Sequence, residues 1–280
     1  MDQVPWTDNR SPCLIFVLRY DLRERSGTVF YRMTMKITSY LLLLGAFLSA
    51  SLLPAQNAQP NCKNSAYILE QVKKGYDAKD HWSKVDLKVH LQEPRVGNPQ
   101  RHTQLTLNRS DGYFEMSRPR EGGTVKRVIT SKGEEMSFLN GESEISEELR
   151  IKYRLNSETH AAMKRFYDIM YGLPMSVEEG FWEQIEPAEK SVFEGRDAYR
   201  INMVLNEELI SKYWTLIIGV DDYQLLALEF THPEEPDNEG ELIKFEGEYE
   251  VDGVIFPRVR HWYLLGSNEY LGTDIIVEEL

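Results

Sequence analysis

The spacing of apolar residues changes along the chain, and each spacing predicts one kind of element. Between residues 64 and 79 the apolar positions recur every three or four residues and are Ile68, Leu69, Val72 and Tyr76. This spacing is typical of one face of an amphipathic helix. From Val85 to Leu91 apolar and polar residues alternate instead, which predicts a strand with one buried face.

Further short strands are predicted up to residue 264, because apolar runs are separated by turn signals such as Asn140-Gly141 and Asp252-Gly253. One helix interrupts them from Ser157 to Gly172, with apolar residues around much of its circumference and Pro174 just beyond its end. These patterns amount to about ten strands and two main helices, without a regular alternation of strand and helix. The predicted fold class is therefore mainly antiparallel β (α+β), with one large antiparallel sheet that carries helices on one face.

Residues 35–56 have the pattern of a secretory signal peptide. Lys36 is followed by the apolar run Leu41–Leu53 and then by Pro54-Ala55-Gln56. A basic start, a short apolar run and small residues in this order are typical of export signals. A membrane-spanning helix needs about 20 apolar residues, so a stop-transfer anchor is the weaker alternative. We predict cleavage near residue 56, which leaves a single domain from 57 to 280.

Residues 1–34 precede this signal, although an export signal normally begins a chain. Met33 and Met35 stand directly before the signal. This position predicts that residues 1–34 are an upstream extension from a misplaced start and that translation begins at one of these two methionines. A long charged leader or a small cytoplasmic tail is the alternative.

The charge balance argues against a nucleic-acid partner. The chain has 45 acidic and 32 basic residues and a formal net charge of -13, whereas binding to phosphates of nucleic acid needs a basic surface. Residues 95–132 differ, because they contain eight basic and three acidic residues. On adjacent strands such residues form a positive surface. We predict that Arg118 and Arg120 contact an anionic headgroup or an acidic partner; the alternative is that they occupy ordinary outward positions of half-exposed strands.

Sequence motifs of catalysis and cofactor binding are absent. The chain has no GxSxG elbow, P-loop, GxGxxG turn or HExxH helix. Cys13 and Cys62 form neither a disulfide framework nor a zinc motif. We therefore predict a protein that is not an enzyme and has no cofactor and no metal site. Because carboxylates are abundant, a hydrolase with paired acids is kept as a third hypothesis.

Several later motifs resemble a family of exported proteins from Bacteroidota-type bacteria. They are Tyr171-Gly172-Leu173-Pro174-Met175-Ser176, Phe256-Pro257, His261-Trp262-Tyr263 and Leu271-Gly272-Thr273-Asp274-Ile275. That family is similar in architecture to the periplasmic lipoprotein carriers LolA and LolB. The resemblance implies a half-open β-barrel, in which one strongly curved sheet has helices over its concave face and an apolar cavity between the layers. Because Cys62 follows Gln59-Pro60-Asn61 rather than an apolar run, a soluble carrier is favoured over a LolB-like anchored acceptor.

The residues expected to line this cavity come from the alternating strands and from the second helix. They are Leu87, Val89, Leu105, Leu107, Phe114, Met116, Phe138, Met163, Phe166, Met170, Trp214 and Leu216. The same pattern also suits a packed core, and both interpretations stay open. The leading hypothesis is a periplasmic or secreted binding or carrier protein for a lipid, an acyl chain or another hydrophobic ligand such as the acyl chains of a lipoprotein. The alternative is an envelope protein-interaction module with a filled core and no ligand.

Overall fold

One antiparallel sheet of thirteen strands organises residues 62–277, the part of the chain that the computed structural model describes. Three helices accompany it, α1 (Cys62–Tyr76), α2 (Glu147–Tyr153) and α3 (Ser157–Met170), with a 3-10 turn at Trp82–Lys84. The strands are β1 (Asp86–Arg95), β2 (Asn98–Asn108), β3 (Phe114–Arg120), β4 (Gly123–Ile129), β5 (Glu135–Leu139), β6 (Trp182–Ile185), β7 (Glu189–Phe193), β8 (Arg196–Leu209), β9 (Ser211–Gly219), β10 (Leu225–Thr231), β11 (Glu241–Val251), β12 (Val254–Leu264) and β13 (Tyr270–Val277).

The strand order is β5-β4-β3-β2-β1-β13-β12-β11-β10-β9-β8-β6, and β7 also pairs with β8. The first strand therefore pairs with the last in the middle of the sheet, while β5 and β6 end the path without pairing with each other. The sheet is open rather than closed into a barrel. The predicted antiparallel class is confirmed, although the described chain has thirteen strands rather than about ten.

Tight hairpins occur where the turn signals predicted them. Asn140 and Gly141 have φ values of 55° and 87°, and Asp252 and Gly253 have values of 55° and 82°. Two successive positive φ values are the geometry of the two-residue turn whose twist matches that of the flanking strands, and Asn-Gly and Asp-Gly adopt it at low cost. The local sequence therefore determines these two reversals.

The pairing registers divide the side chains between two faces, because residues directly opposite each other on paired strands point to the same side. We call the face that carries Leu87, Val89 and Glu93 the inner face. Leu87 pairs with Leu107 and Leu107 with Phe114, while Val89 pairs with Leu105 and Leu105 with Met116. The inner face of β1, β2 and β3 is therefore apolar at one end of these strands.

Helix α3 lies on this inner face. Its buried side carries His160, Tyr167 and Met170, which recur at helical spacing. The ring of Tyr167 lies 6.3 Å from that of Phe114 on β3, and the Tyr167 hydroxyl accepts a hydrogen bond from Arg118. The predicted helix over residues 157–172 is thus confirmed and covers the sheet.

Helix α1 buries the apolar stripe that its spacing predicted. Ile68, Leu69, Val72 and Tyr76 are all buried. The Tyr76 hydroxyl accepts a hydrogen bond of 3.2 Å from the backbone N–H of Leu225, at the start of β10. This contact connects the first helix to a strand 149 residues later.

The predicted upstream extension (1–34) and signal peptide (35–56) lie outside the described residues, and they stay predictions. Within residues 62–277, none of the helices combines the length and the apolar character needed to span a membrane.

Candidate functional site

The inner face contains most of the residues that the sequence predicted for a cavity. Eight strand residues are buried, and the registers of successive strand pairs place all of them on this face. They are Leu87, Val89, Leu105, Leu107, Phe114, Met116, Trp214 and Leu216. We call the six from Leu87 to Met116 the apolar patch. On α3, Met170 is buried, whereas Met163 and Phe166 are half-buried.

Phe138 differs from the other predicted cavity residues. It pairs with Lys126, and Ser137 pairs with Arg127, so the register places Ser137 on the inner face and Phe138 on the outer face. Phe138 instead lines a separate pocket of about 430 Å³ near the β5 edge. In that pocket His160 Nε2 lies 2.9 Å from Ser137 Oγ, and His160 Nδ1 lies 2.7 Å from the backbone oxygen of Asn156. The contact with Ser137 attaches the start of α3 to β5.

A buried ion network adjoins the apolar patch. Glu93, on the same face of β1 as Leu87 and Val89, is buried and accepts hydrogen bonds of 3.1 and 3.2 Å from Arg118 Nη2 and one of 3.3 Å from Arg101 Nη2. Thr103 Oγ1 donates to the same carboxylate and accepts from Arg118 Nε at 2.8 Å. One carboxylate therefore connects β1, β2 and β3.

Asp274 forms a second centre of the network on β13. It is buried and pairs with Arg95 of β1. It also accepts a hydrogen bond of 2.8 Å from Trp262 Nε1 on β12. Since Asp274 and Arg95 are 179 residues apart, this pair depends on the antiparallel contact of β1 with β13.

Three arginines extend from the sheet to the helices. Arg118 Nη2 donates to the Tyr167 hydroxyl at 2.8 Å, and Arg127 Nη2 donates to the backbone oxygen of Tyr153 at 2.9 Å. Arg260 lies 4.2 Å from the ring of Tyr171, next to the end of α3. Cations near the carboxyl end of a helix are stabilising because they compensate its partial negative charge. These arginines therefore hold α2 and α3 against the sheet.

Arginines outnumber carboxylates in this region. Six arginines and two carboxylates form what we call the cationic cluster: Arg95, Arg101, Arg118, Arg120, Arg127 and Arg260 with Glu93 and Asp274. Burial lowers the pKa of Arg101 and of Arg120, and neighbouring arginines lower both further. Burial together with the nearby Arg120 and Arg118 lowers the pKa of Arg127 to about 10, so its guanidinium is still charged at neutral pH.

The pKa of Arg118 shifts in the opposite direction, because its guanidinium has several hydrogen-bond and ion-pair partners. Burial by itself would lower its pKa, but the interactions with Tyr167 and Glu93 outweigh burial and raise it. The sequence predicted Arg118 at a binding surface, whereas the structure places it in the interior with 5% of its surface exposed. Arg120 is half-buried at the next inward position of β3.

The predicted site did not include Glu93, Arg101, Arg127 or Asp274. The sequence nevertheless indicates some of them, because the inward-pointing positions of β1, β2 and β3 change from apolar to charged residues along each strand. On β1 it runs through Leu87, Val89, Leu91 and Glu93; on β2 through Leu107, Leu105, Thr103 and Arg101; on β3 through Phe114, Met116, Arg118 and Arg120. A charge in the buried phase of an alternating strand is the pattern that indicates such a site.

Among residues 62–277, no three or more His, Cys, Asp or Glu side chains are placed together as they would be to hold a metal ion. The arrangement instead offers guanidinium donors beside an apolar surface. Guanidinium groups bind carboxylate and phosphate oxygens with two parallel N–H donors. Chemically, the inner face therefore suits an anionic group attached to an apolar one.

Comparison with known proteins identifies the family. The model described as "Family of unknown function (DUF6503)" matches residues 39–279. The chain belongs to this family. No curated protein matches this DUF6503 chain significantly.

Solved structures similar to the DUF6503 chain include a LolA superfamily protein from Nitrosomonas europaea, at 10% identity and a TM-score of 0.45, covering 77% of this chain and 92% of that one. A putative outer membrane lipoprotein-sorting protein domain from Vibrio parahaemolyticus has 11% identity and a TM-score of 0.45, with 75% and 89% covered. A DUF1329 family protein from Desulfovibrio piger has 10% identity and a TM-score of 0.40, with 77% and 92% covered.

Proposed function

We propose that this protein binds and carries an amphiphilic molecule without chemically changing it. The apolar part, a lipid or lipoprotein acyl chain, lies against the apolar patch, and the anionic head lies at the arginine end of the same face, near Arg118 and Arg120. The predicted signal peptide favours a periplasmic or secreted location, where such a carrier would meet an envelope partner.

One observation carries this proposal: the apolar patch continues directly into the cationic cluster on one face of the sheet. Leu91 pairs with Thr103 and Glu93 with Arg101, so a single step along β1 and β2 changes the lining from apolar to charged. A core that served packing alone would gain little from excess buried arginines, because burying a charge costs free energy unless it is compensated. An amphiphile uses both parts of the surface.

The half-buried Met163 and Phe166 of α3 lie at the boundary between this interior and solvent. Methionine side chains are flexible and polarizable, and they adapt to ligands of varied shape. We propose that these two residues form the entrance for the acyl chain and that α3 acts as its cover.

Lipid mass spectrometry of the protein purified from its native envelope, with titration of a fluorescent fatty acid, tests the proposal. We expect co-purified amphiphile and saturable uptake of the probe. We expect Met163→Gln to weaken uptake about fivefold, because it removes roughly 1 kcal/mol of apolar contact. Met136→Gln is the matched control, since Met136 is 40% exposed on β5. A ligand-free preparation that takes up no probe would overturn the proposal.

One observation favours the alternative, an interaction module with a filled core. Nine predicted cavity residues are at most 3% exposed: Leu87, Val89, Leu105, Leu107, Phe114, Met116, Met170, Trp214 and Leu216. Such burial is expected of close-packed side chains. Crosslinking to an envelope protein by a preparation that takes up no lipid would establish this function instead of the carrier function.

A further inference from the structure

The cationic cluster has more charge than its own carboxylates compensate. It contains six arginines and two carboxylates, an excess of four positive charges, in a chain whose net charge is -13. Both carboxylates are already engaged: Glu93 with Arg118, Arg101 and Thr103, and Asp274 with Arg95 and Trp262. Any further compensation must come from other groups.

Backbone and aromatic groups satisfy only part of the remainder. Arg127 reaches the backbone oxygens at the end of α2, and Arg260 contacts Tyr171 and the end of α3. The Nε atoms of Arg101, Arg127 and Arg260 are nevertheless buried without a hydrogen-bond acceptor. Buried donors without an acceptor are uncommon in folded proteins, and each requires an explanation.

Arg120 differs from these arginines, because it is half-buried and its donors are not among the buried ones without an acceptor. Within the described part of the chain no hydrogen bond or ion pair holds its guanidinium; Glu93 attracts it, while Arg118 and Arg101 repel it. Burial and these neighbours lower the pKa of Arg120, as they lower those of Arg101 and Arg127. In all three arginines burial is the largest cause of the lowered pKa, and neighbouring arginines add to it.

We propose that Arg101, Arg120 and Arg127 form a binding site for a phosphate group, supplied either by a lipid headgroup or by free phosphate. The three residues lie on the inner face of the adjacent strands β2, β3 and β4, and Arg120 is near enough to the other two to interact with them electrostatically. Each guanidinium presents a planar fork of donors. A phosphate offers several oxygens and up to two negative charges, whereas a carboxylate offers two oxygens and one charge. The excess of four positive charges favours the more highly charged group. The lipid source rests on the proposed carrier function; the phosphate site itself does not.

Arg118 is a positioning residue in this site. Its guanidinium is held by Glu93, Thr103 and Tyr167. It therefore fixes the inner face of β3, on which Arg120 lies two residues further, and adds to the positive potential there. The ligand contacts fall to Arg101, Arg120 and Arg127, whose donors are not all used.

The test is isothermal titration of the full protein with inorganic phosphate, at constant ionic strength set with sodium chloride. Arg120→Gln is the test variant, because within the described residues Arg120 has no hydrogen bond or ion pair to lose. Arg196→Gln is the matched control, since Arg196 is a half-exposed arginine paired with Asp222. We expect phosphate to bind, Arg120→Gln to weaken it at least tenfold and Arg196→Gln to leave it unchanged. Absence of phosphate binding, or equal affinity in all three proteins, would overturn the site.

Thermal unfolding without phosphate provides a second readout. Because Arg120→Gln removes a repelled cation, we expect the variant to unfold at a temperature equal to or above that of the wild type and to lose the stabilisation that phosphate gives the wild type. A variant that unfolds at a lower temperature and is still stabilised by phosphate to the wild-type extent would contradict the proposal.

Two short-chain lipids distinguish the sources of the phosphate. If dihexanoyl phosphatidic acid binds the wild type at least tenfold more tightly than inorganic phosphate, the site takes a lipid headgroup; equal affinities indicate free phosphate. Dihexanoyl glycerol, which lacks phosphate, separates this inference from the proposed function. If dihexanoyl glycerol binds equally to the wild type and to Arg120→Gln, and neither protein binds phosphate, the phosphate site is refuted and the proposed carrier function is retained.

Discussion

Glu93 is the residue whose loss should most clearly reveal the buried network. Its carboxylate side chain is 4% exposed, that of Arg118 is 6% exposed, and the two are 3.1 Å apart. Glu93→Gln keeps nearly the same shape but removes the charge that compensates Arg118 and Arg101. Removing one partner of a buried ion pair costs about 3 to 5 kcal/mol, because it leaves the other charge buried and uncompensated. We expect this loss in the free energy of unfolding.

Urea denaturation followed by tryptophan fluorescence measures the effect, because Trp214 and Trp262 are buried. In a domain of this size a loss of 3 to 5 kcal/mol corresponds to a fall in Tm of roughly 6 to 20 °C. Glu194→Gln is the matched control: Glu194 pairs with Lys244, but its side chain is 58% exposed, and surface pairs contribute about 1 kcal/mol or less. A Glu93→Gln protein within 1 kcal/mol of the wild type would refute the assignment of a buried, uncompensated charge.

Two further predictions concern packing and pH. A Cβ at Gly172 would collide with the backbone oxygen of Asp168 and the ring of Trp82, so we expect Gly172→Ala to lower the free energy of unfolding by about 1 to 3 kcal/mol. Gly75→Ala, in an open helical position, should leave it unchanged or raise it by about 0.5 to 1 kcal/mol; equal effects in urea denaturation would contradict this. Burial raises the pKa of Tyr76 from 10.0 to about 12. The stabilisation that the neutral Tyr76 gives the folded state is therefore complete below pH 10 and is lost as pH rises to about 12. Across that window we expect the wild type to lose about 2 to 3 kcal/mol more than Tyr76→Phe; parallel urea midpoints against pH would show this reasoning to be wrong.

The elements of the fold were largely predictable because their signals are local. The stripe of α1 and the alternation of β1 depend only on neighbouring residues, and the Asn140-Gly141 and Asp252-Gly253 turns on two residues each. Strands β6 and β13 and helix α2 were missed. Strand β6 is four residues long with no fully buried position, and α2 has no buried residue, so neither has a strong apolar pattern.

Phe138 shows the limit of alternation. Apolar and polar residues alternate over residues 136–138, which defines two faces but does not say which one is inner. The register with β4 decides this, because Ser137 rather than Phe138 lies opposite the buried Arg127. A shift of one residue in register exchanges the faces, and only the pairing of the two strands fixes it.

The sequence by itself determined that the chain forms an antiparallel sheet with an apolar inward phase, and it indicated a basic region around Arg118 and Arg120. Only the tertiary structure decided which of these charges are buried and what they contact. The pairing of β1 with β13 brings Asp274 to Arg95, and the position of α3 brings Tyr167 to Arg118. The reason is physical: burial and ion pairing depend on residues far apart in the chain, whereas periodicity reports only the local geometry of the backbone.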